Sequence, residues 1–378
     1  MKPTDGYILR NIRGSHYLIP MGQNVALHKR CIKLNDSAVF LWRALKQGLS
    51  EDKLLPLLAK HYQTKEEDLS LLQEDMDSFI RLLTSLQLLS KEVCPYETTR
   101  YIKIGNLVVR YQGPEQLLHP SFNDFSCEAD EVGQHWLIIP QHPDSLPKGE
   151  LLVRTSEIEI YKNEEDYIIS IYSFSKMLEI RVSLDGKYAR FFCPSLLDEN
   201  LIEMLFHAFR YAFFIYAQKM EVFPLHSSSI LYKDKVWLFS APSGTGKSTQ
   251  ACYWHEHFQT PIINGDLNLI HIEPTGPKVW GLPWCGTSQI YTEGIFPLGG
   301  IVLLKQDNTN KIEKLNKTNQ LLSITQRLIS PTWTEEMLDS NLEFCDKLIE
   351  CVLAFRYLCR NEPAAADYLR QYIDNENN

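Results

Sequence analysis

The stretch VWLFSAPSGTGKST, Val236–Thr249, decides how the C-terminal part of the chain is read. Val236–Phe239 is an apolar run with strand character, and Ser248–His255 has helical character. The residues between them follow the phosphate-binding loop pattern G-x-x-x-x-G-K-[ST], with Ala241 where the first glycine usually stands. Glycines let consecutive backbone N–H groups curl around phosphate oxygens. The start of the helix adds its dipole and its free amides. Ser243, Gly244, Thr245, Gly246, Lys247, Ser248 and Thr249 are therefore the candidate nucleotide-binding residues. Lys247 reaches the outer phosphates and the Ser248 hydroxyl is placed to ligate Mg²⁺. The bland alternative, a Gly/Ser-rich turn with an exposed lysine, fits poorly with a strand before the loop and a helix after it.

A metal carboxylate is expected on the next strand. Pro261–Leu267 is an apolar run ending in an acid, and Asp266 lies 18 residues after Ser248. A turn aspartate after Gly265 is the alternative reading. Around this centre, residues 222–378 alternate strand-like and helical runs, which suggests an α/β layer architecture.

Two further zones precede it. Residues 98–200 carry alternating runs at Tyr101–Tyr111, Trp136–Pro140, Leu151–Arg154, Glu157–Tyr161, Tyr167–Tyr172, Leu178–Ser183 and Lys187–Phe192. Asp185-Gly186 is a two-residue hairpin signal, and an antiparallel, strand-rich stretch is expected. It leads into an apolar helix over Leu201–Gln218, read as a buried core helix because it holds His207 and Arg210 and falls short of the ~20 apolar residues of a membrane span. Residues 1–92 open with short extended runs at Tyr7–Ile12, His16–Pro20 and Arg30–Leu34, with Gly14-Ser15 as a turn. Three helices follow, the first capped from Asn35-Asp36-Ser37 and stopped at Gly48. The second opens after Ser50. The third runs from Thr64 to about Leu88 with Leu69, Leu72, Met76, Phe79, Ile80 and Leu83 on one face. A small sheet followed by three helices packs as a winged-helix-like module. The fold class expected is thus α+β with several domains, 1–92, 98–200 and 201–378.

Composition bounds the function. The chain has 378 residues, with 38 Lys+Arg against 47 Asp+Glu. Without a basic field, nucleic acid is an improbable partner. Its N-terminus, MKPTDGYILRNIRGSHY, has no apolar segment of the kind a secretory signal needs. Nine cysteines without C-x-x-C spacing read as reduced thiols in a cytoplasm.

Several residues around the loop carry a resemblance. His226-Ser227-Ser228-Ser229, a hairpin around Lys233-Asp234 and then the loop resemble the HPr kinase/phosphorylase family, within the phosphoenolpyruvate-carboxykinase-like group of P-loop proteins. Gly281–Gly286 and Phe296–Leu304 are similar to an HPr-kinase-related branch. The resemblance runs from about Leu201 to the C-terminus. It implies ATP or GTP as phosphoryl donor with Mg²⁺, and members of that family assemble into oligomers, so a homo-oligomer is one open outcome. The family usually has two consecutive acids where this chain has Gly265-Asp266. Asp266 then serves both as metal ligand and as base, or His226 takes the proton. Lys247, Asp266 and His226 are the catalytic candidates.

The first zone has its own resemblance. Ile32–Trp42 followed by three helices resembles the PqqD-like domains, which capture the leader segments of ribosomally made precursor peptides. The resemblance implies a leader added as a strand at about Val25–Lys33 against the third helix. Arg30, Cys31, Ile32, Lys33, Leu72 and Met76 are the residues it assigns to the peptide. A purely supporting winged-helix module is the alternative. The expectation drawn is a kinase acting on a side-chain hydroxyl of a leader-bearing precursor peptide, without membrane or nucleic-acid partners. The other readings are a kinase for a small metabolite such as a free amino acid, and a nucleotide-binding regulator or chaperone without phosphotransfer.

Overall fold

A computed structural model describes residues 2–3, 6–26, 29–46, 49, 51–64, 69–86, 88–90, 99–128, 131–140, 143, 148–172, 178–193 and 200–376. The chain begins with Lys2–Pro3 (β1), Tyr7–Ile12 (β2), Ser15–Pro20 (β3), the short helix Gln23–Ala26 (α1) and Ile32–Leu34 (β4). Helices Asp36–Lys46 (α2), Glu51–Tyr62 (α3) and Leu69–Ser85 (α4) follow, and Leu89–Ser90 (β5) pairs back onto β1. The β2–β3 turn is Arg13-Gly14, one residue earlier than the sequence suggests. Both residues have positive φ, as a two-residue hairpin matched to strand twist requires. Asn35 Oδ1 accepts the Ala38 N–H at 2.8 Å and caps α2. Leu18, Leu41, Trp42, Leu45, Leu54, Leu58 and Leu83 close the core of this unit. The expected start of α3 at Ser50 and the stop at Gly48 lie outside the described residues, as does the boundary at 92–98. Two expectations shift. The stretch from Val25 is not one extended edge, because Gln23–Ala26 is helical and only Ile32–Leu34 pairs with β3. The third helix ends at Ser85.

The middle of the chain supplies Thr99–Ile104 (β6), Leu107–Gln112 (β7), Ser126–Cys127 (β8), Gln134–Ile139 (β9), Glu150–Arg154 (β10), Ile158–Lys162 (β11), Asp166–Ile171 (β12), Leu178–Ser183 (β13) and Tyr188–Phe192 (β14). They form a nine-stranded sheet in the order β10-β11-β12-β13-β14-β9-β7-β6-β8. The single run expected over Tyr101–Tyr111 is a hairpin that turns at Gly105, where φ is +60°. The sheet is also mixed rather than antiparallel throughout, since β9 runs parallel to both β7 and β14. Alternating hydrophobicity reports which face a residue occupies, not which strand lies beside it.

Helix Leu201–Lys219 (α5) lies on this sheet. Phe209 stacks on Trp136 with centroids 4.5 Å apart and meets Phe191 edge-on. The same apolar cluster continues into Leu267, Leu269, Trp280, Leu282 and Trp284. Packing therefore runs without a break across residue 200. No helix among the described residues is long and apolar enough to cross a membrane.

The rest comprises Val222–Tyr232 (β15), Lys235–Ser240 (β16), Lys247–Phe258 (α6), Ile262–Asn264 (β17), Leu267–Glu273 (β18), Gly276–Trp280 (β19), Ile295–Gln306 (β20), Lys311–Glu313 (β21), Lys317–Thr325 (α7), Glu335–Cys351 (α8), Ala354–Cys359 (β22) and Ala364–Glu376 (α9). Two long strands organise it. The first half of β15 pairs with β18, and the second half with β16. Strand β20 pairs with β19 at its start, then runs parallel between β16 and β22. Helices α6 and α9 cover one face of this sheet around Trp254, Tyr357 and Leu369, while α7 and α8 cover the other around Ile324, Phe344 and Leu348. The observed architecture is a mixed α and β chain with helices on both faces of its C-terminal sheet.

Candidate functional site

The site forms where β15 changes partner. His226 pairs with Leu267 of β18, and the next residue, Ser227, pairs with Ser240, the last residue of β16. The loop Ala241–Gly246 starts there and feeds α6. Ser240 Oγ donates to the His226 carbonyl at 2.8 Å, and the Ser227 N–H donates to the Asp266 carbonyl at 2.9 Å. One fork in a ladder therefore brings the glycine loop, His226 and Asp266 together.

The loop has the form that phosphate binding needs. Gly244 and Gly246 have φ of +76° and +103°, and no atom lies within 4 Å of where a Cβ would stand on either. Only glycine takes such angles without strain. Gly246 makes no side-chain cap, so the first amides of α6 keep their N–H groups free for an anion. Ser243, Gly244 and Ser248 are exposed, and Thr245 and Thr249 are half-buried. Lys247 is 7% exposed, and its Nζ donates to the Ala241 carbonyl at 3.2 Å. Burial pushes the Lys247 pKa down, the Asp266 carboxylate opposes that, and the Arg327 cation adds to it. A buried ammonium without a full counter-charge is costly until an anion joins it. These residues fit a magnesium–nucleotide polyphosphate.

Asp266 is aimed by its neighbours. Asn264, fully buried, accepts the N–H groups of Asp266 and Leu267 on Oδ1 at 2.9 and 3.0 Å. Its Nδ2 donates to the carbonyls of Leu282 and Trp284. Trp284 Nε1 in turn donates to the Phe206 carbonyl of α5 at 2.7 Å. The sequence singled out Asp266 but not Asn264, whose signal was an asparagine two residues before it in a turn. His226 Nε2 lies 3.2 Å from Asp266 Oδ1. That hydrogen bond is the first reason the Asp266 carboxyl sits below its usual range. Burial opposes it, and the charges of His226, Lys247 and Arg210 reinforce it.

The structure also shows what surrounds Gly265, where the resemblance leads one to expect an acid. A Cβ on Gly265 would stand 2.1 Å from Ser288 Oγ. Ser288 Oγ itself donates to the Cys285 carbonyl at 2.6 Å and closes the turn beside Asp266. The space for a side chain is filled. Gly265→Asp is therefore expected to displace the Ser288 turn and lower the melting temperature, by an amount set by ~1–3 kcal/mol of overpacking. A thermal melt of that variant against Gly265→Asp combined with Ser288→Gly checks this, the double variant recovering part of the loss.

Trp284 is buried in the apolar cluster, and Cys285 beside it is buried as well. His207 is exposed, on a polar stripe of the otherwise buried α5. Arg356 and Arg360 face Glu313 and Glu362 at 3.7 and 3.8 Å, and Glu293 is exposed. Arg327 and Arg210 are half-buried near Lys247 and Asp266, and neither guanidinium has a hydrogen bond or ion pair among the described residues. No cluster of metal-ligating side chains occurs among the described residues, so a metal here would rely on Ser248, Asp266 and the phosphates themselves.

In the N-terminal unit β4 is an edge of its three-stranded sheet. Arg30, Cys31 and Lys33 are exposed and Ile32 is half-buried. A groove of about 340 Å³ lies between β4, α2 and α4, lined by Lys33, Leu34, Leu41, Asp75, Phe79 and Leu82. Met76, which the sequence placed in this groove, is 3% exposed and belongs to the core, and Leu72 packs against that core. The groove wall on α4 is set by Asp75, Phe79 and Leu82 instead, because a helix turns its faces by about 100° per residue.

No protein-family model matches this sequence, and no curated protein matches it significantly. The site's chemistry therefore rests on its own residues.

Proposed function

We propose that the chain is a kinase that transfers the terminal phosphoryl group of ATP or GTP to a side-chain hydroxyl of a ribosomally made precursor peptide. The observation that carries this is the pairing of a lysine-closed glycine loop with the Asp266–His226 pair at one strand fork. A bound nucleotide would supply the transferable phosphoryl group, with Mg²⁺ shielding its charge. The loop amides and Lys247 hold the phosphates. Ser248 and the free Oδ2 of Asp266 hold the metal. Because Asp266 Oδ1 engages His226 Nε2, the imidazole is oriented with Nδ1 left to receive the hydroxyl proton. Catalysis by such a site is mostly positioning and charge stabilisation.

The exposed edge of β4 and the groove beside α4 support leader binding by strand addition. Main-chain bonds would hold the guest there, and Phe79 and Leu82 would receive its side chains. The test is intact-mass spectrometry of a precursor peptide after incubation with the full chain and MgATP. A gain of one phosphate on the peptide is expected. Removing the leader should lower kcat/KM about 100-fold, the loss of an effective concentration in the mM range. Equal rates with and without leader would remove the leader from the reading. Nucleotide binding without any phosphorylated product would leave a regulator, and phosphorylation of a free amino acid would leave a metabolite kinase.

A further inference from the structure

The N-terminal unit rests on the face of the nine-stranded sheet opposite α5. Residues directly across from one another on paired strands share a face, so Ile168, Arg181 and Arg190 on β12, β13 and β14 look one way. Their sequence neighbours Ile169, Val182 and Phe191 look the other way, into the cluster that holds α5. On β2, Tyr7 and Leu9 enter the core of the N-terminal unit, while Ile8 and Arg10 alternate to its outside. Those outward residues meet the sheet. Ile8, Arg10 and Lys46 of α2 border one pocket together with Ile168, Arg181 and Arg190. Arg10 Nη1 lies 3.2 Å from Glu164 Oε2 in the turn between β11 and β12.

The seam extends neither core. The buried apolar residues of the N-terminal cluster run from Tyr7 to Leu88, and those of the sheet's cluster begin at Ile102. Among the described residues no strand pairing and no other backbone hydrogen bond crosses the seam. A cavity of about 270 Å³ stays open in it, between Arg43 and Lys46 on one side and Glu164, Glu165 and Asp185 on the other. The N-terminal unit thus brings cations, and the two hairpin turns bring acids. Burial and Asp166 push the Glu165 carboxyl up, while Lys46, Arg190 and Arg43 oppose that. Asn163 Oδ1 accepts the N–H groups of Glu165 and Asp166 and holds the acidic turn in shape. The charges on the sheet itself have partners within the middle of the chain. Arg190 donates to Asp166, and buried Glu179 accepts Arg181 Nε at 2.9 Å and faces Lys148 at 3.1 Å. Lifting the N-terminal unit away leaves these ion pairs intact and each core closed.

We propose that charge latches the N-terminal unit to this face of the sheet, and that the unit detaches from it as a folded body, carrying the β4 edge and its groove along. Polar, loosely packed contacts between domains leave relative motion as the default behaviour. The latch goes beyond the kinase reading and does not rest on it. In that reading it would supply reach: α5 adjoins the Asn264 bend through Phe206 and Trp284, and the docked unit lies on the sheet face away from α5.

Small-angle X-ray scattering of the full chain, without nucleotide or peptide, tests the latch. At about 0.01 M salt, where the Debye length is about 30 Å, the radius of gyration should lie near the roughly 21 Å of a compact chain of this length. At about 1 M salt the Debye length falls to about 3 Å, and the radius should rise by about a tenth or more as the unit comes away. Arg43 is exposed and Arg10 half-buried, and both lie outside the apolar clusters. Arg10→Glu combined with Arg43→Glu places like charges across the seam and should produce the same rise at low salt. Adding Glu164→Arg to that chain should reverse part of it. Far-UV circular dichroism should be the same throughout, because no element unfolds. A radius that stays fixed in salt and in the reversed variant would overturn the latch. Expansion accompanied by loss of helical signal would overturn it too, since the unit would then fold only against the sheet.

Discussion

Lys247→Ala is expected to abolish ATP-induced stabilisation while leaving the nucleotide-free protein as stable as before or slightly more so. The side chain is 7% exposed, and its Nζ has one hydrogen bond among the described residues, to the Ala241 carbonyl. Burial already disfavours its charge. Removing it deletes an ill-compensated buried cation, so little native stability is lost, in contrast to the usual penalty for truncating a long buried side chain. With ligand the balance reverses. A nucleotide at 100 times its Kd should stabilise the native chain by about 2.7 kcal/mol, and that increment should vanish in the variant. Phosphotransfer should fall by about 1,000-fold or more, since in the proposed reaction the lysine would bridge the outer phosphates where charge moves. Paired melts with and without MgATP, together with the mass assay, check this. A variant that melts far lower without nucleotide would show that Lys247 is a structural residue of the loop. A variant that still shifts with ATP would show that the loop amides hold the polyphosphate without it.

How much of this centre could be read from sequence follows the range of the interactions. The loop was legible because its parts are contiguous: a strand, glycines at the positions of positive φ, a lysine and a hydroxyl. Asp266 was legible as an acid soon after α6, although it stands in the bend between β17 and β18 rather than on a strand, as the turn-aspartate alternative had it. Asn264 was not, since its role depends on the carbonyls of Leu282 and Trp284, 18 and 20 residues away in sequence. Gly265 read as a missing acid, and only the Ser288 hydroxyl shows why a side chain is shut out. In the fold, helix positions and turn residues followed local chemistry. The insertion of β9 between β7 and β14 did not, because strand partners are chosen by tertiary packing. Met76 and Phe79 share one apolar face of α4, and periodicity alone could not tell which of them faces the core and which also borders the groove.

Asp266→Asn carries the second large effect, and it separates metal binding from phosphate binding. The variant would keep the shape and the link to His226 but remove the charge proposed to face Mg²⁺. Affinity for MgATP should fall about 100-fold, in the range of a lost charge-assisted contact to a divalent ion, while affinity for ATP in EDTA changes little. Titrations with and without Mg²⁺ measure both. The same carboxylate gives a pH signature. Its pKa is held below the usual carboxylate range in the folded state, chiefly by the His226 hydrogen bond. Its contribution to stability is therefore fully present above the unfolded value of about 3.9 and is lost as pH falls through the folded value. His226→Ala removes the main cause of the depression and leaves burial, which acts in the opposite direction. The acid limb of Mg²⁺-dependent nucleotide binding should then move to higher pH. If His226→Ala leaves that limb in place while Asp266→Asn destroys Mg²⁺ dependence, the imidazole does not set the state of the carboxylate. The proton-accepting role would then pass to another group near the acceptor.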